Sequence, residues 1–279
     1  MLTSCYRFAD DAPFGFSRPL SILSSSDVSN ADRRVEARAK FLEDPQGCVG
    51  RKKMTKAVFF DVDFTLIYPG PTFDGDGYRR FCERHGVSVN PSCFEQAVAH
   101  ASALLDQTQE DVYNPELFVE YARKVIEQMG GRGQGLDACA REIYEEWARC
   151  QHFLLYEDVL PVLRQLHSLG LSVGLISNTH RCLTSFENHF QLNGLITSRV
   201  SSLQHGWVKP HPSIFKAALK LVRVDAGDAV MVGDSLKQDI NGARQVGMRA
   251  ILLARAGVPS EPVDGVPIIR SLTELPAYL

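Results

Sequence analysis

The amino-acid sequence predicts a protein of the α/β class, with a doubly wound parallel sheet as its core and an inserted all-helical segment. Three observations lead to this prediction. Short apolar segments rich in strand-forming residues recur along the chain, helical stretches separate them, and one long stretch shows helical spacing alone. Strands that alternate with helices form parallel sheets, because a parallel strand is reached through a crossover connection that is usually a helix.

Four segments have the composition of buried strands. The first, 57–60, is apolar and ends at a carboxylate. The others are 171–176, 229–232 and 249–253, and helices are predicted at 156–169, 212–222 and 238–246. An apolar run that stops at polar residues is typical of a parallel strand that ends at a ligand site.

The helical insertion is predicted between the first strand and Tyr156. Apolar residues recur at helical spacing in 78–85, 93–105, 116–129 and 137–153. Asn-Pro pairs and the glycine-rich stretch 130–135 separate these segments. We interpret the glycine-rich stretch as a flexible connection and not as a nucleotide-binding loop, because it follows a helix and lacks a Gly-Lys-Ser/Thr sequence.

Residues 1–53 differ from the rest of the chain. Serines crowd between Ser21 and Ser29, and no apolar period persists. This composition predicts a disordered N-terminal extension. Met54 stands directly before the first strand and is a candidate start of translation, which the intact mass of the native protein would test.

Composition and charge exclude several classes of protein. Of the 279 residues 44% are hydrophobic, which excludes a wholly disordered chain, and the formal net charge of −3 gives no basic footprint for nucleic acid or an acidic membrane. The sequence shows neither an apolar run that spans a bilayer nor a secretory signal. The seven cysteines are odd in number and form no Cys-x-x-Cys pair, which predicts buried or half-buried thiols in a reducing compartment. We therefore expect a soluble, cytoplasmic protein without nucleic-acid or membrane partners, and its oligomeric state stays open.

Polar groups follow the predicted strands at four places. They are Asp61-Val62-Asp63-Phe64-Thr65, Ser177-Asn178, Lys209-Pro210, and Gly233-Asp234-Ser235 with Asp239. Each group alone is more often a helix cap, a turn or a surface charge than a catalytic group. Their occurrence together and in order favours a functional site, because ligands of open α/β sheets bind at the carboxyl ends of the strands.

This set resembles the four motifs of the haloacid dehalogenase-like (HAD) superfamily, over residues 56 to about 255. Those motifs are an Asp-x-Asp-x-Thr, a Ser or Thr, a Lys, and a late Gly-Asp-x-x-x-x-Asp. The resemblance implies a phosphatase-branch hydrolase with a Rossmann-like core, 54–70 and 157–279, and a mobile helical cap domain, 71–156, that selects the substrate. Phe64 departs from the commonest form of the first motif, in which many relatives have Gly.

The resemblance also implies roles for individual residues. Asp61 would attack phosphorus and form an aspartyl-phosphate, while Asp63 would protonate the leaving alkoxide and then deprotonate the attacking water. Lys209 would supply positive charge for the phosphoryl oxygens. The implied phosphate-binding groups are Thr65, Ser177 and Asn178.

Mg²⁺ is the implied cofactor, because a hard cation must offset the repulsion between carboxylates and a phosphate dianion. Its implied ligands are Asp61, the backbone carbonyl of Asp63, and Asp234. Ser235 and Asp239 would support the site. Asp239 would either hold a metal-bound water or orient Lys209, and the sequence leaves both roles open.

The sequence favours a phosphatase acting on a small phosphorylated metabolite, with two alternatives. A phosphomutase of the β-phosphoglucomutase type has the same core and would pass the phosphoryl group to a second sugar hydroxyl. A non-catalytic binding module could keep the fold, although the complete motifs disfavour it. Asp63 favours phosphoryl transfer over carbon–halogen cleavage, since dehalogenating branches generally replace this residue.

Other residues near the motifs are expected to be structural. The histidines and the arginine among them are interpreted as solvated or hydrogen-bonded within the fold: His180, Arg181, His205 and His211. The aromatic residues recur at helical spacing and are predicted to pack in the core: Tyr78, Phe81, Phe118, Tyr121, Tyr144, Trp147 and Trp207.

Overall fold

The computed structural model describes residues 54–107, 111–255, 257 and 265–279. The predicted disordered extension over residues 1–53 lies outside the described residues. Within the described part of the chain, no helix has both the length and the hydropathy needed to cross a bilayer.

Regular structure in the described part of the chain runs from Ala57 to Tyr278. The strands are β1 (Ala57–Phe60), β2 (Ile67–Pro69), β3 (Phe153–Leu155), β4 (Ser172–Ser177), β5 (Ser198–Ser201), β6 (Ala229–Gly233), β7 (Arg249–Leu253) and β8 (Ile268–Ile269). The α-helices are α1 (Gly75–Arg84), α2 (Phe94–Gln107), α3 (Pro115–Gln128), α4 (Leu136–Trp147), α5 (Val159–Ser168), α6 (Leu183–His189), α7 (Ser202–His205), α8 (Pro212–Val222) and α9 (Gly242–Gln245). A π-helix, Leu236–Asn241, leads directly into α9, and the 3₁₀ helices are Pro71–Phe73, Pro91–Cys93, Cys150–His152, Ala226–Asp228 and Leu272–Tyr278.

A six-stranded parallel sheet forms the core, in the order β5-β4-β1-β6-β7-β8. β1 lies at its centre, where Phe60 is level with Leu175 of β4 and Val232 of β6. Alternate residues of β1 enter different hydrophobic clusters, since Val58 and Phe60 join one and Ala57 and Phe59 join the other. Both faces of the sheet are thus buried, and the predicted doubly wound α/β core is confirmed.

The four longest helices of the insertion, α1 to α4, follow β2 and precede β3. β2 and β3 pair with each other in an antiparallel two-stranded sheet, so they form a stem at the base of the insertion. Asn114 caps α3 through a hydrogen bond from the backbone N–H of Glu116, and Pro115 occupies the first helical position. The stretch 130–135 connects α3 to α4 without regular structure, as the sequence predicts.

The prediction of a helix over 137–153 is wrong at its C-terminal end. α4 ends at Trp147, and β3 begins at Phe153. The strands β2, β3, β5 and β8 are not predicted. β2, β3 and β8 have only two or three residues, and β5 has one apolar residue among its four, whereas the equally short β1 is apolar throughout. One cysteine also differs from the prediction, since Cys182 is exposed.

Candidate active site

The segment after β1 turns sharply and holds the first motif. Asp61 is 1% exposed, and its backbone N–H donates to the carbonyl of Val232 at 3.0 Å. Two further bonds close the turn, from Leu66 N to the Val62 carbonyl at 2.8 Å and from Phe64 N to the Ile67 carbonyl at 2.7 Å. Phe64 has a φ of +63°. That left-handed backbone favours glycine, which gives a physical reason why Gly is common at this position of the motif.

Lys209 bridges two buried carboxylates. Its Nζ lies 2.5 Å from Asp61 Oδ1 and 2.6 Å from Asp239 Oδ1. Burial raises the pKa of Asp61 to about 7, although Lys209 partly opposes that shift. Burial alone would lower the pKa of Lys209, but the carboxylates of Asp239 and Asp61 raise it above its ordinary value. The ammonium group is therefore charged at neutral pH.

A third carboxylate completes an acidic cluster. One oxygen from each of Asp61, Asp234 and Asp239 lies within 4.8 Å of the others. Burial, together with the negative charges of Asp61 and Asp239, raises the pKa of Asp234 well above its ordinary value. Three carboxylates facing a single ammonium group leave excess negative charge, and an oxygen-only donor set of this kind fits a hard divalent cation.

Gly233 lets the last motif fold tightly. A Cβ at this position would lie 2.3 Å from Asp239 Cγ, so no side chain fits there. Ser235 caps the π-helix by accepting from the N–H of Gln238 at 3.2 Å, and its own N–H donates to Asp239 Oδ2 at 3.0 Å. Each Asp239 oxygen thus has a fixed donor, and the contact with Lys209 matches one of the two roles left open by the sequence.

The three predicted phosphate-binding residues lie at the same edge of the sheet. Ser177 is the buried last residue of β4, next to β1. The side chain of Asn178 is bonded to the backbone of Lys209, accepting from its N–H at 2.7 Å and donating to its carbonyl at 3.0 Å. Thr65 Oγ1 is 3.4 Å from Asp234 Oδ1. The same amide nitrogen also donates to Gln238 Oε1 at 3.0 Å, so both its hydrogens are used. The side chain of Asn178 therefore positions Lys209, and its backbone N–H is the group left for a phosphoryl oxygen.

Arg181 is the partner of Asp63. Its Nη1 donates to both carboxylate oxygens of Asp63 at 3.0 Å, and its Nη2 donates to the carbonyl of Trp147 at 2.8 Å. The guanidinium carbon lies 4.3 Å from the ring centroid of Phe153. The fully buried Arg181 therefore joins the second carboxylate of the first motif to the end of α4 and to the stem. The residue type alone gave no sign of this contact.

Arg255 supports the turn after β1 from the end of β7. It donates to the carbonyl of Thr65 at 2.9 and 3.2 Å and forms a two-bond ion pair with Asp158 at 2.9 and 3.0 Å. Its guanidinium carbon lies 3.7 Å from the ring centroid of Tyr156. Arg255 belongs to none of the four motifs, and its partners are distant in sequence, so sequence reasoning missed it.

The family model for haloacid dehalogenase-like hydrolases matches residues 55–247, more than half of the chain. The chain belongs to this family. A glyceraldehyde 3-phosphate phosphatase from Pyrococcus abyssi is 39% identical to this HAD-like hydrolase over 204 residues, 71% of this chain and 81% of that protein. The human N-acylneuraminate-9-phosphatase is 28% identical over 239 residues, 80% of this chain and 93% of that protein. The structure of a magnesium-bound HAD-hydrolase, YfnB from Bacillus subtilis, aligns with a TM-score of 0.62 at 19% identity, covering 80% of this chain and 97% of YfnB.

These comparisons confirm the expected family and fold. The expectation of a phosphoric monoester hydrolase from the phosphatase branch is confirmed as well, since named phosphatases are among the relatives of this HAD-like hydrolase. The individual roles of the site residues stay predictions.

A cavity that is partly open to solvent adjoins the site of this HAD-like hydrolase. Asp63, Asn178 and Thr179 contribute polar groups to its lining. Most of the remaining lining is aromatic: Phe64, Tyr78, Tyr113, Phe118, Tyr121, Tyr144, Trp147 and His180. Tyr78, Phe81 and Tyr121 are buried in the core as predicted, and Tyr144 and Trp147 pack against it, although all of these except Phe81 also line the cavity. Phe118 is half-buried and lines the cavity, so it is not core. Trp207 is not core either, since it is 39% exposed.

Proposed function

We propose that this protein is a Mg²⁺-dependent phosphatase that hydrolyses a small phosphomonoester through an aspartyl-phosphate on Asp61. One observation carries the proposal: the buried carboxylate of Asp61 lies against Lys209, within a cluster that also contains Asp234 and Asp239. A carboxylate is an adequate nucleophile for a phosphoryl group when nearby positive charge offsets the repulsion between the two.

The proposed reaction has two displacements. In the first, a carboxylate oxygen of Asp61 forms a bond to phosphorus, the bond to the leaving alcohol breaks, and Asp63 gives its proton to the leaving oxygen. In the second, water attacks the same phosphorus, Asp63 takes a proton from that water, and the bond to Asp61 breaks to release inorganic phosphate. Lys209 offsets negative charge on the phosphoryl oxygens throughout, and Ser177 with the N–H of Asn178 donates hydrogen bonds to them.

The acidic cluster fits Mg²⁺, and we propose Asp61, the backbone carbonyl of Asp63, and Asp234 as its protein ligands. When bound, the cation would neutralise the carboxylates and the phosphoryl oxygens. Asp239 holds Lys209 in place through its 2.6 Å contact. A carboxylate cluster whose pKa values are raised by burial and mutual repulsion is poised to gain from a bound cation.

We also propose that residues 71–156 form the substrate-selecting cap and that 54–70 with 157–279 form the catalytic core. The position of α1 to α4 between the two strands of the stem supports this division.

The described cysteines are free thiols, which supports a cytoplasmic location. The proposed partner is a small phosphorylated metabolite.

The test is phosphate release from a panel of phosphomonoesters with Mg²⁺, with EDTA, and with the variant Asp61→Asn. The proposal expects both EDTA and Asp61→Asn to abolish turnover. Asp76→Asn is the matched control, because Asp76 is an exposed carboxylate of α1 that pairs with Arg79 and belongs neither to the acidic cluster nor to the cavity lining. Undiminished turnover in Asp61→Asn would overturn the aspartyl-phosphate, and release of an isomerised ester in place of phosphate would indicate a mutase.

A further inference from the structure

The aromatic cavity adjoins the side of the site where the leaving group would depart. In the proposed reaction Asp63 protonates the leaving oxygen, so the rest of the leaving alcohol lies beside Asp63. Asp63 lines the cavity, whereas Asp61 and Lys209 do not. The cavity therefore occupies the place of the leaving alcohol, and its lining decides which alcohol is accepted.

Near-parallel rings build part of the cavity wall. The rings of Tyr144 and His180 stack with centroids 4.1 Å apart and planes 18° apart. Phe118 lies 6.4 Å from Tyr144 at 22°, and Tyr113 lies 5.8 Å from Phe118 at 26°. Four segments contribute to this row of rings, since Tyr113 comes from the loop before α3, Phe118 from α3, Tyr144 from α4, and His180 from the loop after β4. Such a wall offers a largely aromatic surface to a planar apolar group.

Several polar atoms of that wall already have partners within the protein. The hydroxyls of Tyr113 and Tyr144 are 2.7 Å apart and bond to each other. His180 donates through Nε2 to the carbonyl of Tyr144 at 2.9 Å, and burial lowers its pKa, so its ring is neutral at pH 7. Asp63 is the single residue with a formal charge among the described residues of the lining.

These partners make the cavity a poor environment for a hydrophilic leaving group. A polyhydroxylated alcohol would lose water and find few free partners, which costs about 1–3 kcal/mol for each unsatisfied group. An anionic leaving group would lie near the carboxylate of Asp63. The positive charge of Arg181 is already paired with that carboxylate, so it would not offset the repulsion. An uncharged apolar body would gain contacts with the rings without either cost.

We infer that the substrate is the phosphomonoester of an uncharged alcohol that carries a planar aromatic group. The inference rests on the proposed phosphatase function and adds the class of leaving group. The aromatic group lies against Phe118 and Tyr144, and the ester oxygen faces Asp63.

The test compares kcat/KM for two esters of primary alcohols, 2-phenylethyl phosphate and glycerol 1-phosphate, in the full-length protein with Mg²⁺. Acetyl phosphate serves as a third substrate, because it is reactive and needs no aromatic cavity. The inference expects kcat/KM to be at least about tenfold higher for the phenylethyl ester than for the glycerol ester. A ratio at or below one, with acetyl phosphate still hydrolysed, would overturn the aromatic substrate class and leave the phosphatase function standing.

Variants of the cavity lining test whether the cavity causes the preference for the phenylethyl ester. Phe118→Ser removes one ring and should lower the phenylethyl-to-glycerol ratio by about tenfold, whereas Phe118→Leu should lower it less. Leu117→Ser is the matched control, because Leu117 is the neighbouring residue on α3 and does not line the cavity. An equal fall of the ratio in Leu117→Ser would overturn the assignment. Absence of phosphate release from all three substrates, acetyl phosphate included, would overturn the proposed function and this inference with it.

Discussion

At the residue scale, the contacts of Arg181 constrain Asp63, which is both the proposed general acid and the proposed general base. Asp63 keeps part of its surface accessible, but both its oxygens accept from one guanidinium nitrogen. The second terminal nitrogen of Arg181 binds the last residue of α4. Within the described residues its Nε has no hydrogen-bond partner, so the side chain is held by these contacts and by the ring of Phe153. The orientation of Asp63 thus depends on the end of an insertion helix.

Replacing Arg181 by Met should impair proton transfer more than phosphoryl binding. Without the guanidinium, Asp63 loses its fixed orientation, and a positioned acid contributes about 10²–10⁴-fold to rate. The loss in kcat should be large for alkyl esters, whose leaving oxygen needs a proton, and small for acetyl phosphate, whose leaving group does not. The measurement is kcat for both substrates in Arg181→Met and Arg181→Lys. Equal losses on both substrates would show that Arg181 acts only on stability or binding.

Gly233 is a second residue whose replacement has a defined consequence. In Gly233→Ala the new Cβ would meet the backbone-anchored side chain of Asp239 at 2.3 Å, so that side chain must move away from Lys209. Overpacking of this kind costs roughly 1–3 kcal/mol. We expect a lower unfolding midpoint in urea and a loss of turnover of at least about tenfold. Wild-type turnover in Gly233→Ala would show that the Lys209–Asp239 contact is dispensable.

At the element scale, the sequence predicts those strands and helices that a local pattern of apolar residues determines. β1, β4, β6 and β7 are buried apolar runs, so their place in a parallel sheet and the polar residues at their ends could be deduced. The pairing of Asp63 with Arg181, and of Thr65 with Arg255, could not, because these residues are more than a hundred positions apart and neither arginine belongs to a motif. The aromatic cavity could not be predicted from the sequence either. Its rings share the helical spacing of core residues, and only tertiary packing separates the two.

The ends of β7 and α5 are joined through one ion pair, Arg255 with Asp158. Asp158 also accepts from the hydroxyl of Ser271 at 2.8 Å and from the N–H of Leu272 at 2.8 Å. Burial alone would raise the pKa of Asp158, but hydrogen bonds from Arg255 and Ser271 outweigh it and lower the pKa. Because the folded pKa is lowered, this stabilisation is present at neutral pH and is lost as the pH falls below about 4.

Arg255→Leu should therefore destabilise the protein at pH 7 by about 3 kcal/mol, since it leaves a poorly exposed carboxylate without its cation. The measurement is the free energy of unfolding in urea for Arg255→Leu, Asp158→Asn and the double variant. The double variant should lose clearly less than the sum of the single losses, because each single change breaks the same pair. Additive losses would show that the two side chains stabilise the fold independently.

At the scale of the whole molecule, the acidic cluster couples folding to pH and to metal. Burial raises the pKa of Asp61 to about 7 in the metal-free protein, far above the ordinary value of 3.8. A raised carboxyl pKa means that this group favours the folded state most below about pH 4, and that this contribution is lost as the pH rises through 7. The contribution of Asp61 should therefore lower the free energy of unfolding of the metal-free protein as the pH rises from about 4 to 7. Other titrating groups add their own pH dependence.

Mg²⁺ should reverse this trend, because the cation binds the ionised carboxylates and competes with protons for them. We expect saturating Mg²⁺ to raise the thermal unfolding midpoint by several degrees at about pH 8 and by almost nothing at about pH 5. Differential scanning calorimetry at both pH values, with and without Mg²⁺, measures the effect. Asp61→Asn, which removes the titrating carboxylate and one proposed ligand, should flatten both the pH dependence and the response to metal. A metal response of equal size at the two pH values would mean that the cation binds elsewhere than at Asp61 and Asp234.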